Sequence, residues 1–240
     1  MPKPLQLTIL HTNDLHGKLT PELAVRLRAM RDEADLWVDS GDLIKAGNLA
    51  VPLRPEPAWG LMAEAGCDIG TIGNRESHVL EAAFRAKLAG AQHRLICANL
   101  LDKSTREPVL EPTAILEVQG VRIGFVGVMV AMVTDRMASK AASAFIWELP
   151  LPCAVKWAEA LRPSVDALVA ITHIGLRQDR ELAANGLFDL ILGGHSHDVL
   201  DSPEQVGKTW ICQGGSHARF VGRYDWDPRA GKLEGGLCLL

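Results

Sequence analysis

Asp14 and His16 stand one residue apart after a short apolar run, and His195 and His197 repeat that spacing far along the chain. Asp42, Asn74 and His173 each follow an apolar segment of their own. Carboxylate, amide oxygen and imidazole are donors for first-row divalent ions rather than for Ca, which takes an all-oxygen shell. The five cysteines, Cys67, Cys97, Cys153, Cys212 and Cys238, contain no Cys-x-x-Cys pair and read as reduced, mostly buried thiols. A lone Asp-x-His, or a lone His after a strand, is more often a turn or a satisfied core group than a ligand. Five such features, each at the end of an apolar run, make a metal centre the expectation. On an extended backbone, the single intervening residue in Asp14-x-His16 and in His195-x-His197 would send both side chains to the same side. There is neither a Gly-x-Ser-x-Gly elbow nor a Walker loop, so serine-nucleophile and P-loop chemistry lose support.

The elements that must position these groups follow from periodicity. Residues 5–10 read as a buried strand that ends in the polar turn His11-Thr12-Asn13-Asp14. Thr20 is the expected N-cap of a helix with Pro21 at its first position and Leu23, Leu27 and Met30 at helical spacing. Strands are then expected at 36–38, before Asp39-Ser40-Gly41-Asp42, and at 69–72, before Gly73-Asn74-Arg75-Glu76, with helices between and after them. Residues 114–126 read as a hairpin turning at Gln119-Gly120. The second half predicts a helix at 154–161, strands at 167–171, 190–192 and 210–212, and a strand at 221–226 closing a sheet edge. Pro52, Pro55 and Pro57 break the region between Leu49 and Trp59 without making a domain linker. Ligands at the carboxyl ends of strands are where α/β sheets put their sites.

A chain of 240 residues with 48% hydrophobic content can bury one large core, and the expectation is a single domain over residues 1–240. The net charge of −4 offers no basic face for a nucleic-acid backbone, so affinity for phosphate must be built locally. Residues 1–4 show no charged leader, and the longest nearly apolar run, residues 123–133, is too short for a membrane span. These features predict a cytoplasmic protein that needs no membrane and no nucleic-acid polymer. Six scattered tryptophans give no readable interface, and the oligomeric state is not encoded.

The run from Ile9 to Gly17, with Gly41-Asp42, Gly73-Asn74-Arg75-Glu76, Thr172-His173 and Gly193-Gly194-His195-Ser196-His197, resembles the calcineurin-like metallophosphoesterases, and more closely the catalytic domain of their 5′-nucleotidase branch. The resemblance implies an α/β fold of four layers, α-β-β-α, with two mixed sheets face to face. It implies two divalent ions, Mn first, with Zn, Fe, Co or Ni as alternatives. One ion would be held by Asp14, His16, Asp42 and His197, the other by Asp42, Asn74, His173 and His195, with Asp42 bridging. Two such ions against two carboxylates leave about two positive charges for a phosphate dianion. At a spacing of roughly 3.5–4 Å they generate hydroxide near neutral pH and orient the phosphoryl group for in-line attack. The implied substrates are nucleotides or cyclic nucleotides, and more broadly small phosphomonoesters or phosphodiesters.

Two departures stand out. Arg75 and His78 occupy the positions where the family carries a catalytic His and, in the nucleotidase branch, its Asp partner. Arginine stays protonated, so Arg75 can clamp a phosphoryl group but cannot shuttle a proton. His78, expected at the start of a helix, would take over acid duty or orient Arg75, or else be an exposed first-turn residue. Glu76 reads as a partner of a ligand imidazole or as a helix N-terminal acid. The chain also ends soon after its last motif, which implies no C-terminal nucleotide-recognition domain. Gly214-Gly215-Ser216-His217 follows a strand and would bring His217 near the phosphate, although a tight turn explains the glycines equally well. Asn74 and Arg75 complete the expected substrate contacts. The competing readings are a metal-dependent nucleotide-binding or regulatory module with weakened turnover, motivated by Arg75, and a structural metal site, which the cysteine-free donor set disfavours.

Overall fold

The computed structural model describes residues 6–240. Leu5, read above as the start of the first strand, and residues 1–4, read as lacking a leader, lie outside the described residues. The first half runs β1 (Leu7–Thr12), α1 (Pro21–Asp32), β2 (Leu36–Asp39), α2 (Pro57–Ala65), β3 (Ile69–Thr71), α3 (Glu81–Leu88), β4 (Arg94–Ile96) and β5 (Leu100–Asp102). It continues through β6 (Thr113–Val118), β7 (Val121–Met129), β8 (Phe145–Trp147), α4 (Pro150–Leu161), β9 (Ala167–His173), α5 (Leu176–Ala183) and β10 (Leu190–Leu192). The last strands are β11 (Glu204–Val206), β12 (Thr209–Cys212), β13 (Phe220–Asp227) and β14 (Lys232–Leu239).

Side-chain alternation along the central strands sets the layers. Ile9, Val38 and Ile69 face inward against Phe125, Val169, Ile171 and Leu192, forming the core between two six-stranded sheets. The residues of opposite parity, Leu10 and Trp37, pack under Leu27, Trp59 and Met62 of α1 and α2. On the other sheet, Val126, Leu168, Ala170 and Ile191 pack under Ala154 and Ala158 of α4 and Leu182 of α5. The result is the four-layer α-β-β-α sandwich. Strand order is β14-β13-β1-β2-β3-β4 in one sheet and β11-β12-β10-β9-β7-β6 in the other, with β5 and β8 forming a separate pair. Both sheets are mixed: β1 through β4 are parallel and β13 runs antiparallel to its two neighbours β1 and β14, while β7, β9, β10 and β12 are parallel between antiparallel β6 and β11. Every residue of β9 is buried, as expected of a parallel strand covered on both faces.

Local signals account for several boundaries. The Thr20 hydroxyl accepts the Leu23 amide at 3.3 Å and starts α1 with Pro21 in the first turn. Gln119 and Gly120, at φ 48° and 76°, make the two-residue turn of the β6–β7 hairpin. Two expectations need correction. The strand at 221–226 does not close an edge: β13 lies between β1 and β14, and β14 is the edge. Pro57 starts α2 rather than only breaking the chain, because proline fits a first helical turn that needs no amide. Cys67, Cys97, Cys153 and Cys212 are buried free thiols and Cys238 is exposed. Among the described residues no helix is long and apolar enough to cross a membrane.

Candidate metal centre

Five parallel strands end at one rim of the sandwich, and each delivers a donor at or just past its last residue. From the first sheet come Asp14 and His16 after β1, Asp42 after β2 and Asn74 after β3; from the second come His173 at the end of β9 and His195 and His197 after β10. The loops are joined to one another by their backbones. The amides of Asp14, His16 and Gly17 donate to the carbonyls of Gly41, Asp42 and Leu43 at 2.9, 2.8 and 2.7 Å. The His217 amide donates to the Asp14 carbonyl at 2.7 Å, so the segment after β12 reaches the same place. Asp14, His16, Asp42, His195, His197 and His217 all have positive φ, between 51° and 80°. The expected extended backbone for the two x-spaced pairs is therefore corrected: both lie in left-handed loop conformations, which Asp and His tolerate better than most side chains. The pairs also differ, since His16 faces Asp14 while His195 and His197 go to different groups.

In the first group, the Nε2 atoms of His16 and His197 lie 3.5 and 3.3 Å from Asp14 Oδ1. Asp14 Oδ2 is used up by the Asn13 side chain and the His195 amide, both at 2.8 Å. Asp14 Oδ1 and both His16 nitrogens are buried with no hydrogen-bond partner. Buried polar atoms are rarely left so, and three of them converging is what a cation site requires. In the second group, His173 Nε2 is 3.5 Å from Asp42 Oδ1 and 3.2 Å from Asn74 Oδ1, which is 2.9 Å from His195 Nδ1. The Ser40 carbonyl lies 2.7 Å from His173 Nδ1, holding that nitrogen as a donor and leaving Nε2 its lone pair. The Asp42 carboxylate spans both groups: its Oδ2 is 3.4 Å from His16 Nε2. The sets Asp14, His16, His197 and Asp14, Asp42, His173 each have the donor spacing to hold a metal ion.

Charge reinforces the geometry. Burial works to raise the Asp42 carboxyl, but His173, His16 and the Arg75 amide outweigh it and hold Asp42 far below the usual carboxylate range. Asp14 is lowered likewise: burial opposes ionisation and the neighbouring His16, His173 and Asn13 overcome it. Without a metal ion His173, whose burial alone would lower it, is raised to about 9 by Asp42 and Asp14, so its Nε2 then carries the proton that a bound cation would displace. Two buried carboxylates are thus kept ionised within a ring of imidazoles.

Arg75 and His217 flank this cluster. The Arg75 amide donates to Asp42 Oδ1 at 2.8 Å, its Nε lies 3.8 Å from Asp42 Oδ2, and its guanidinium donates to the Lys45 carbonyl at 3.0 Å. The exposed His217 ring meets that of His16 edge-on, centroids 4.7 Å apart, and that of His197 at 5.8 Å. Burial, followed by the neighbouring His16 and His197, lowers His217 below the ordinary histidine value. His78 is different. It is buried and lies before α3 rather than on it, so neither the shared helical face nor the exposed first turn is correct. Its Nδ1 accepts the Leu80 amide at 3.0 Å, and none of the cluster's hydrogen bonds or ion pairs involves it.

Glu76 proves to be neither an imidazole partner nor a helix acid. Its fully buried carboxylate accepts the amides of Asp42 and Gly73, both at 2.8 Å, and of Ile44 at 3.1 Å, and so shapes the loop that carries Asp42. The same loops approach so closely that a Cβ on Gly73 would fall on the Asp42 carboxylate. Asn13, Asn48 and Lys87 also escaped the sequence reading. Asn13 ties the Gly214 amide and Gly215 carbonyl to the Asp14 loop. Lys87 had a legible signal: it falls three residues after Phe84 and four after Ala83, on the apolar face of α3.

Among solved structures, a 5′-nucleotidase precursor from Thermus thermophilus superposes with a TM-score of 0.79 at 20% identity, covering 98% of this chain and 55% of its own. That likeness concerns the fold. Among curated proteins, the chain is 28% identical to protein UshA of Yersinia enterocolitica and 29% identical to a 5′-nucleotidase of Vibrio cholerae, in each case over 97% of this chain. The alignments take in 51% and 50% of those proteins, so the chain spans about half the length of the curated relatives it matches. With the sandwich, the strand-end donors and a match to the family model for calcineurin-like phosphoesterase over residues 7–199, the chain belongs to the calcineurin-like phosphoesterase family.

Proposed function

We propose that this domain hydrolyses small phosphate esters at a binuclear metal centre, with Asp14, His16, Asp42 and His197 on one ion and Asp42, Asn74, His173 and His195 on the other. The observation that carries the reading is the Asp42 carboxylate, with one oxygen toward His16 and the other toward His173, between two donor groups of which the first holds buried Asp14 and His16 atoms without partners. Imidazole, amide and carboxylate donors without thiolate suit Mn, Zn, Fe, Co or Ni. When bound, such a pair supplies the acidified water and the neutralisation of phosphoryl charge that ester hydrolysis needs.

The chain's own residues do the rest. The Ser40 carbonyl fixes the His173 tautomer, and the Asn13 amide and His195 backbone hold Asp14 so that its free oxygen faces His16 and His197. Arg75, tethered through Lys45, presents a permanent cation to the phosphoryl oxygens and moves no proton. His217, held below the ordinary histidine value and open to solvent, offers a hydrogen bond to the substrate beside the first donor group. Nucleotides are the proposed substrates, supported by the names of the relatives. We assign His78 no role in this machinery, since its Nδ1 accepts the Leu80 amide and its ring makes no hydrogen bond or ion pair to the cluster.

Turnover of bis- and mono-p-nitrophenyl phosphate by metal-stripped protein reloaded with Mn, Co, Ni, Zn or Mg tests the reading. Activity should return with metal and fall at least about 100-fold in Asp42→Asn, since even outer-shell changes at metal sites cost 10–100-fold. Two bound ions without turnover would instead favour a binding or regulatory module, with Arg75 in place of a proton-transferring histidine as the reason.

A further inference from the structure

Lys87 is fully buried on α3, and its ammonium is surrounded by backbone carbonyls: Arg75 at 2.6 Å, Gly47 at 2.9 Å, Ser77 at 3.0 Å and Asn48 at 3.1 Å. A buried ammonium is costly unless its protons are met, and here carbonyls rather than a carboxylate meet them. The four acceptors come from two loops, one after β2 and one after β3. Among the described residues no backbone–backbone hydrogen bond joins these loops; Glu76 and Arg75 tie them together at residues 42–45, and Lys87 is what joins them at Gly47 and Asn48. Without a cation between them, their carbonyls would face one another unfavourably.

The loop after β2 holds Asn48, whose Oδ1 accepts Asn74 Nδ2 at 2.9 Å. That bond decides which end of the Asn74 amide faces the cluster. With Nδ2 committed to Asn48, Oδ1 turns to His173 Nε2 at 3.2 Å and His195 Nδ1 at 2.9 Å. An amide binds a cation through oxygen, and a half-turn of the side chain would present two N–H donors instead. Nothing else among the described hydrogen bonds holds Asn74 Nδ2.

We propose that Asn48 and Lys87 are positioning residues for the metal centre: Lys87 clamps the two loops together, and Asn48 then fixes the Asn74 amide with its oxygen toward His173 and His195. This rests on the reading of Asn74 as a metal ligand. It predicts that the second donor group depends on a lysine and an exposed asparagine that touch neither ion.

The test is calorimetric titration of the metal-stripped chain with Mn(II) alone. Wild type should take up two ions. Asn48→Ala should weaken one of the two sites about 10–100-fold, leave the other within twofold and leave the thermal transition in place, because Asn48 is exposed. Asn48→Asp, which keeps an acceptor for the same N–H, should recover most of the loss. Lys87→Met should weaken the same site, and the double variant should be no worse than the weaker single one, as expected of residues acting through one contact. If Lys87→Met fails to fold, Asn48→Ala still decides. Two sites of unchanged affinity in Asn48→Ala would overturn the proposal and spare the metal centre. Fewer than two sites in wild type would overturn the metal centre and the proposal with it.

Discussion

Asp14, His16, Asp42, His195, His197 and His217 sit in left-handed backbone conformations that each cost of order 1 kcal/mol or more, and all six border one cluster. Such strain persists only where surrounding contacts over-determine it. Here the restraint is visible residue by residue, in the three amide–carbonyl bonds between the Asp14 and Asp42 loops and in the Glu76 carboxylate that takes three amides. Glu76→Gln would turn an N–H donor toward amides that need an acceptor. It should cost about 2 kcal/mol, roughly 4–8 °C in Tm for a chain of this size, which thermal unfolding by circular dichroism checks. An unchanged Tm would mean that the loop is held by its backbone bonds alone. The donors themselves were legible because their types are few and each follows an apolar run. The roles of Glu76, Asn48 and Lys87 were not, because their partners, loop amides for Glu76, the Asn74 side chain for Asn48 and loop carbonyls for Lys87, come near only by folding; the apolar face of α3 signals that Lys87 is buried but not what it binds, and a glutamate beside a ligand reads as an imidazole partner until the loop amides are seen to converge on it.

At the scale of elements, parallel strands were the readable part. Residues 36–38, 167–171 and 190–192 are short apolar runs ended by polar turns, and β2, β9 and β10 form there. β14 escaped because its burial is patchy: along Lys232–Leu239 only Leu233 is buried, as suits a sheet edge with one face in water. His78 was misplaced for a related reason. The apolar spacing of α3 begins at Glu81, and the polar residues before it belong to the loop around Lys87. The junction between α3 and β4 carries a pH-dependent element of its own. His93 packs against Trp59, ring centroids 5.6 Å apart, with both nitrogens buried and unpartnered, and burial pushes it down to about 4. The unfolded chain takes up a proton near pH 6.5 and the folded one only near pH 4, so stability falls as pH drops through that window. His93→Phe should flatten this part of the stability profile measured by urea unfolding from pH 7 to 4. An identical slope in the variant would assign the pH dependence to other groups.

For the molecule as a whole, the centre and the core are separate structures. The inter-sheet core and the two helix-covered faces bury their apolar residues without any cluster side chain, so folding should not need metal. Chelation should leave a single cooperative thermal transition, lowered only by the lost binding energy; a chain that unfolds on chelation would be using its metals structurally. The central claim is that one carboxylate joins two ions at the rim where the sheets meet. Anomalous diffraction from crystals grown with Mn(II) tests it most directly. Two peaks should appear, one among Asp14, His16 and His197 and one among Asn74, His173 and His195, with an Asp42 oxygen on each. A single peak, or two peaks that Asp42 does not join, would contradict it.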